Sequence, residues 1–295
     1  MKKVLGLISS PRKKGNSEIM TKEIMCHIGG DRQLEILQLL DLHIEPCKGC
    51  YSCMKPGRKC PRDDDMEFFF RKIAEAEGII LSSPVYNWGI NIGIRRIFDR
   101  AFLFKYWKDK FENKPCVTFV TYGVPYEEGY ALMVLNELVR QLNLRLKESA
   151  AFWGALPGDV LKYRKNLKMA KQMGKALSDP LYRRKQRENE CPNCFSNMIK
   201  FRSETDLPVP GLRPVSQVEC AFCGTVAEIG TTGKGFGVSY HGKGLYDEAF
   251  PKRLSEWHED SIRSFTRDRK EIEKEWIKKY DHLNIKQIIP PSKKC

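Results

Sequence analysis

The sequence predicts a doubly wound α/β domain built on a five-stranded parallel sheet, followed by a small four-cysteine zinc ribbon and a C-terminal helix. Three observations carry this. Strand-length apolar runs alternate with helix-length amphipathic stretches up to residue 180. Two C-x-x-C knuckles follow, Cys191/Cys194 and Cys220/Cys223. A charged stretch with helical periodicity closes the chain, whose 295 residues suffice for about two domains.

Residues 3–9 read as a short buried strand, 17–28 have helical spacing, and 33–39 read as a second strand. A cysteine-rich loop comes next, then a helix over 64–77 whose acidic first turn suits the positive end of the helix dipole. GIILSS at 78–83 is a buried strand, 90–104 a helix, and CVTFVTY at 116–122 a β-branched strand. An apolar helix over 130–142, a weaker strand over 145–153 and a helix over 161–177 complete the domain. Strands separated by helices favour parallel pairing and a sheet covered on both faces.

The organisation is therefore a domain over 1–180, a polar connector over 181–190, a ribbon module over 191–229, and a last segment over 230–295. That segment opens as a glycine-rich loop or hairpin. It ends in a helical pattern over 251–280, where Trp257, Ile262, Phe265, Ile272, Trp276 and Ile277 form an apolar stripe suited to docking on the body or on a second subunit.

Charge and cysteine content bound the function. There are 51 Lys+Arg against 37 Asp+Glu, a net +14 spread over both halves. The densest basic run, Arg183-Arg184-Lys185-Gln186-Arg187, reads as a solvated connector rather than a nucleic-acid patch. No apolar run approaches the roughly 18 residues needed to span a bilayer, so no membrane partner is expected. Val4 to Ile8 is shorter than the roughly 7–15 apolar residues of a secretory leader. Eleven cysteines without a leader point to a reducing, cytoplasmic setting and to metal ligation rather than disulfides.

Ser9-Ser10-Pro11-Arg12-Lys13-Lys14-Gly15-Asn16-Ser17 joins the first strand to the first helix. Small hydroxyls, a guanidinium and a helix N-terminus make an anion site, although an ordinary strand–helix turn has a similar composition. Neither common nucleotide loop, G-x-G-x-x-G or G-x-x-x-x-G-K-S/T, is present there. The stretch Ser10-x-Arg12-x-x-Gly15-Asn16-Ser17 resembles the FMN-phosphate loop of the flavodoxin-like NAD(P)H-dependent FMN reductases. Ser82-Ser83-Pro84-Val85-Tyr86-Asn87-Trp88 is similar to that family's isoalloxazine loop. Ile97-Phe98-Asp99-Arg100 resembles the helix after it, and Thr121-Tyr122-Gly123 the third flavin loop. The resemblance covers roughly residues 1–180 and implies a flavodoxin-like fold with one FMN. It puts Ser10, Arg12, Asn16 and Ser17 on the phosphate, and Pro84, Val85, Tyr86, Asn87 and Trp88 along the ring. Gly123 would allow close approach at the ring edge. Simple core packing is the alternative role for Tyr86 and Trp88.

Cys47-x-x-Cys50-x-x-Cys53 and Cys60 follow the second strand. Thiolates at this spacing suit a 4Fe–4S cluster, also suit tetrahedral zinc, and can stand without metal. The spacing looks like the compact motif of the iron–sulfur flavoproteins, a branch of the same FMN family, and that resemblance implies the cluster. Asp63-Asp64-Asp65 also resembles the branch, and reads physically as helix capping. Cys191, Cys194, Cys220 and Cys223 make a closed four-thiolate site for structural zinc, with a rubredoxin-like single iron as the alternative. Cys26, Cys116 and Cys295 read as small core residues or a tail thiol, and the five histidines lack metal-ligand spacing.

The expected function is a redox protein that pairs FMN with a 4Fe–4S cluster. It would pass electrons between a one-electron carrier such as a ferredoxin and a two-electron donor or acceptor. One alternative is a cluster-free FMN oxidoreductase that uses NAD(P)H to reduce a quinone, nitro compound or other small molecule. The other is a ribbon module that binds nucleic acid. The family resemblance implies a homo-oligomer, a dimer or a tetramer.

Overall fold

The structure is a computed structural model that describes residues 2–55, 57–202, 217–232 and 235–241, together with Arg263, Glu271 and Lys274. Two compact units divide the chain after Leu245. In the second, Arg263, Glu271 and Lys274 are helical and exposed, and the apolar stripe expected over 251–280 lies outside the described residues. No helix among the described residues is long and apolar enough to cross a membrane.

In the first unit, β1 (Lys2–Ile8), β2 (Arg32–Gln38), β3 (Gly78–Pro84), β4 (Pro115–Tyr122) and β5 (Arg145–Trp153) form one sheet in the order β2-β1-β3-β4-β5. Every pairing is parallel. This is the flavodoxin-like strand order, whose switch point lies between β1 and β3. Central strand β3 is buried from Gly78 to Ser83, as a parallel strand covered on both faces requires.

One face is covered by α1 (Asn16–Met25) and α6 (Arg164–Ser178), where Met20, Ile24, Phe119, Phe152 and Met173 pack together. The other carries α2 (Met66–Glu75), α3 (Ile92–Phe98), α4 (Lys108–Phe111) and α5 (Ala131–Gln141). There Leu5, Phe69, Phe70, Ile79, Phe111 and Leu135 meet. Each such fully buried side chain contributes roughly 1.5–3 kcal/mol.

The helix expected over 90–104 is shorter than its sequence pattern. The Asn91 side chain accepts the Gly93 N–H at 2.8 Å and caps α3. The α-helix ends at Phe98, and a 3₁₀ stretch follows at Ala101–Tyr106. The break turns Arg100 inward to a buried ion pair with Asp64. It also sets Phe104 edge-on to Phe70, with centroids 5.9 Å apart.

The ribbon is an antiparallel sheet of β6 (Ile199–Arg202), β7 (Gln217–Cys220), β8 (Val226–Thr232) and β9 (Gly235–His241), in that order. The glycine-rich stretch forms a β8–β9 hairpin, so the sheet runs on past residue 229. The connector over 181–190 is largely exposed, as its composition suggests, but Arg184 and Glu190 are drawn inward. The Arg184 side chain is 2% exposed, forms two 2.7 Å hydrogen bonds to the Glu190 carboxylate, and lies 4.4 Å from the Phe195 ring centre. Glu148 of β5 accepts from Arg187 at 2.9 Å and from the Tyr182 hydroxyl at 2.7 Å. The basic run therefore fastens the first cysteine knuckle to the β5 edge, because buried guanidinium–carboxylate pairs form only where the chain closes over them.

Candidate functional site

Beyond β1, Ser9 and Ser10 are buried, and the Ser10 hydroxyl accepts the Arg12 N–H at 3.3 Å. The Gly15 N–H closes the loop onto the Arg12 carbonyl at 3.3 Å. A Cβ at Gly15 would meet that carbonyl at 3.0 Å, so the turn favours glycine. Gly15 is the N-cap of α1 and no side chain caps the helix. Its first-turn N–H groups thus face the loop without a side-chain acceptor, beside the exposed Arg12. This arrangement fits a phosphate.

Two of the expected phosphate residues have other partners. Asn16 Nδ2 donates to the Gly154 carbonyl at 2.7 Å, and its Oδ1 accepts the Gly158 N–H at 2.9 Å. The Ser17 hydroxyl lies 3.0 Å from that of Thr121, and both are buried. These contacts brace α1 against the exits of β5 and β4.

The next loop leaves β3 at Pro84. The Val85 N–H donates to the Thr121 carbonyl at 2.9 Å. Tyr86 and Gly89 then exchange backbone hydrogen bonds of 3.0 and 2.9 Å around a two-residue turn. Asn87 (φ 47°) and Trp88 (φ 61°) are both left-handed, the type I′ pattern. Asn tolerates this conformation, whereas a bulky residue there costs roughly 1–3 kcal/mol. The turn is held from behind. The Tyr130 N–H donates to the Trp88 carbonyl at 2.9 Å, and Gly129 (φ 57°) packs so closely that a Cβ would come within 2.3 Å of that oxygen. Tyr86 is 49% and Trp88 56% exposed, so neither is a core residue. Gly123 is exposed, and a Cβ there would meet only Ala155, at ordinary contact distance. The protein fold alone does not require glycine at that position.

A buried polar chain links these loops. Ser9 Oγ donates to Asn91 Oδ1 at 3.0 Å, and the Asn91 N–H donates to Ser83 Oγ at 3.1 Å. Nothing in the sequence pattern singled out Asn91, Gly129 or Tyr130. All three loops leave the carboxyl ends of β1, β3 and β4, which are adjacent in the sheet, and there an open α/β sheet binds its ligand.

Cys47, Cys50, Cys53 and Cys60 line one cavity of about 370 Å³. Left-handed turns at Gly49 and Tyr51 redirect the chain between successive cysteines. Cys47 and Cys50 are exposed, while Cys53 and Cys60 are half-buried. Burial, and then the neighbouring Cys60, Cys47 and Cys50 sulfurs, push the Cys53 thiol up. Hydrogen bonds from Ser52 hold Cys50 down. Asp64, one residue before the N-cap Asp65, accepts the Met66 N–H at the start of α2 at 3.2 Å, and it also accepts the Glu45 N–H at 2.9 Å and pairs with Arg100. The neighbouring carboxylate of Asp65 accepts the His43 N–H at 2.7 Å. The acidic run therefore anchors the entry of the cysteine loop as well as starting a helix. Four thiols spread around a cavity suit a cluster, whose thiolates bind separate irons.

In the ribbon, the sulfurs of Cys191, Cys194, Cys220 and Cys223 all lie within 4.8 Å of one another and are buried, the one such group among the described residues. The two knuckles repeat each other. The Phe195 N–H returns to the Cys191 carbonyl at 2.9 Å, and the Gly224 N–H to the Cys220 carbonyl at 3.0 Å. Phe195 (φ 57°) and Gly224 (φ 66°) take the same left-handed turn. Converging this tightly, the four thiolates suit a single tetrahedral ion, zinc or iron. Of the scattered cysteines, Cys116 is buried, which pushes its thiol well up. Cys26 is exposed rather than packed in the core, and Cys295 lies outside the described residues.

Fold and loops together define a flavodoxin-like α/β domain with a ligand crevice at the carboxyl ends of β1, β3 and β4. The profile of the NADPH-dependent FMN reductase family matches residues 2–152. An iron–sulfur flavoprotein of Methanocaldococcus jannaschii is 38% identical over 100 residues, which is 34% of this chain and 51% of that protein. One from Archaeoglobus fulgidus is 27% identical over 182 residues, 60% of this chain and 79% of the relative. The chain thus spans about half the length of the first of these relatives. A solved flavone reductase shares the fold with a TM-score of 0.71 at 18% identity, over 98% of this chain and 99% of that one. The chain belongs to the NADPH-dependent FMN reductase family, and the curated relatives it resembles are iron–sulfur flavoproteins.

Proposed function

We propose that this protein passes electrons between a one-electron carrier such as a ferredoxin and a two-electron donor or acceptor. FMN would occupy the three-loop crevice and a 4Fe–4S cluster the cavity of Cys47, Cys50, Cys53 and Cys60. The observation that carries the reading is that cavity, reached from the flavin loops along a single short helix. Asn91, at the end of the ring loop, caps α3, and Arg100, just beyond the helix's other end, lines the cysteine cavity. Seven helical residues span only about 10 Å. When bound, FMN accepts or returns electrons singly or in pairs, and the cluster handles one at a time.

The chain's own residues hold and orient these groups. Ser10, Arg12 and the first-turn N–H groups of α1 would take the phosphate, with Asn16 and Ser17 bracing that turn. Pro84 to Trp88 would present backbone and aromatic surface to the ring, and Gly123 would let it approach. Zinc in the ribbon would stabilise the module without taking part in turnover, since four thiolates leave no open position. The setting is a reducing cytoplasm, a reading supported by free cysteines throughout the described residues. Assembly is a dimer or a tetramer. Exposed Val124, Tyr126, Tyr130 and Leu156 supply apolar surface for a second subunit, and a monomer by light scattering would reject it.

A second reading, reduction of a planar small molecule by NAD(P)H without a cluster, is favoured by the exposed aromatic side chains of Tyr86, Trp88 and Tyr126. Cys53→Ser separates the two. It should remove loop iron and one-electron exchange while FMN stays bound through its own loops. Full one-electron activity in that variant would leave the cluster-free oxidoreductase.

A further inference from the structure

We propose that Arg100 is a positioning residue for the cysteine loop: its guanidinium holds Cys60 and raises the potential at which the iron–sulfur cluster accepts an electron. This rests on the cluster reading of that loop.

The side chain of Arg100 is 3% exposed and that of its partner Asp64 1%. Burying a charge this deeply costs several kcal/mol unless it is well paired, so the direction of each N–H matters. A purely structural pair would place both terminal nitrogens on the carboxylate, the usual fork geometry. Here only Nη1 meets Asp64. Asp64 Oδ1 takes the Met66 N–H instead, while Arg100 Nη2 turns to the Cys60 sulfur at 3.3 Å. Arg100 Nε has no partner among the described residues. The guanidinium thus retains an unused donor, and Arg100 lines the cavity of the cysteines. The nearby Arg62 is paired with Glu45. Asp64 is held in turn by the Glu45 N–H at 2.9 Å, which fixes the pair to the loop's entry. The premature end of α3 is what makes this possible, since a helix continuing through residue 104 would carry Arg100 along its own path.

One-electron reduction adds one negative charge to a cluster and its thiolates. A fixed cation and an N–H donor on a ligand sulfur stabilise the reduced form more than the oxidised one. Neutralising Arg100 should therefore lower the potential. Freeing it from Asp64 should raise the potential. A role confined to packing predicts no such opposition of sign.

The test is an anaerobic spectroelectrochemical titration of reconstituted wild type, Arg100→Met, Arg100→Lys and Asp64→Asn. Asp64→Asn keeps an acceptor for a backbone N–H but removes the negative charge. The expected result is at least a tenfold fall in the reduction equilibrium for Arg100→Met, a shift of about −59 mV for one electron. Arg100→Lys should give a smaller fall, and Asp64→Asn a shift of opposite sign. Potentials that stay unchanged, or that move the same way in Arg100→Met and Asp64→Asn, overturn the proposal. If Arg100→Met loses iron, the signs for Arg100→Lys and Asp64→Asn decide in the same manner. Wild type that takes up no loop iron would overturn the cluster reading itself, a result separate from unchanged potentials.

Discussion

Replacing Asn16 by alanine separates bracing from phosphate binding, two roles that the sequence merges. The side chain makes one hydrogen bond to the Gly154 carbonyl at 2.7 Å and accepts one from the Gly158 N–H at 2.9 Å. Gly154 is buried and Gly158 half-buried, so water replaces these bonds poorly. At about 0.5–1.5 kcal/mol for each bond, with a further cost for the buried carbonyl left unpaired, the loss is about 2 kcal/mol. For a domain of this size that corresponds to a fall of roughly 4–8 °C in Tm. The assay is thermal unfolding of the flavin-free protein, where no phosphate is present to be lost. Asn16→Asp should be no better, since it puts a carboxylate oxygen against the Gly154 carbonyl. Arg12→Ala is the contrast: exposed, it should leave flavin-free stability within about 0.5 kcal/mol and weaken FMN binding by about 1.5–3 kcal/mol. An unchanged flavin-free Tm in Asn16→Ala, with the whole effect in FMN affinity, would refute the bracing argument.

Gly129→Ala should weaken FMN binding, because a left-handed alanine costs roughly 1–2 kcal/mol and its Cβ would displace the Trp88 carbonyl 2.3 Å away; a flavin fluorescence titration checks this, and wild-type affinity would contradict it. Cys191→Ser should lose the ribbon metal and loosen the module, read by metal analysis and limited proteolysis; intact metal content would reject a four-thiolate site. Burial raises the Glu190 carboxyl, but hydrogen bonds from Arg184 and the Arg187 N–H outweigh it and hold the group below its ordinary value of 4.5. Its contribution is therefore present above that pH and is lost as pH falls through the lower folded value. Protection from hydrogen exchange around residues 184–195 should fall in acid, once the pH drops below the ordinary carboxyl value, and unchanged protection there would count against the strap.

The sheet was legible because its five strands are apolar runs set between amphipathic helices, and the two knuckles of the ribbon were legible from spacing, whereas the spacing of Cys47 to Cys60 left cluster, zinc and no metal open. What pattern could not show depends on contacts distant in sequence. Residues 90–104 keep helical periodicity, yet the helix ends at Phe98, and the break turns Arg100 to Asp64 of the cysteine loop. The basic run at 183–187 looks solvated, and only Glu148 and Glu190 turn it into a strap. Asn16 carries a phosphate-loop signature, but its partners lie at Gly154 and Gly158. Tyr86 and Trp88 were ambiguous between core and ligand surface, because composition does not reveal that a type I′ turn lifts them outward.

The central claim is the pairing of flavin and cluster, and metal and flavin analysis of anaerobically purified protein tests it most directly. Iron, zinc and FMN should be counted on the same sample as its absorption spectrum. The account predicts about one FMN and close to four irons per chain in the Cys47–Cys60 loop, beyond the ion of the ribbon, with a cluster band that bleaches on reduction. One FMN with no iron beyond a single ribbon ion would contradict it.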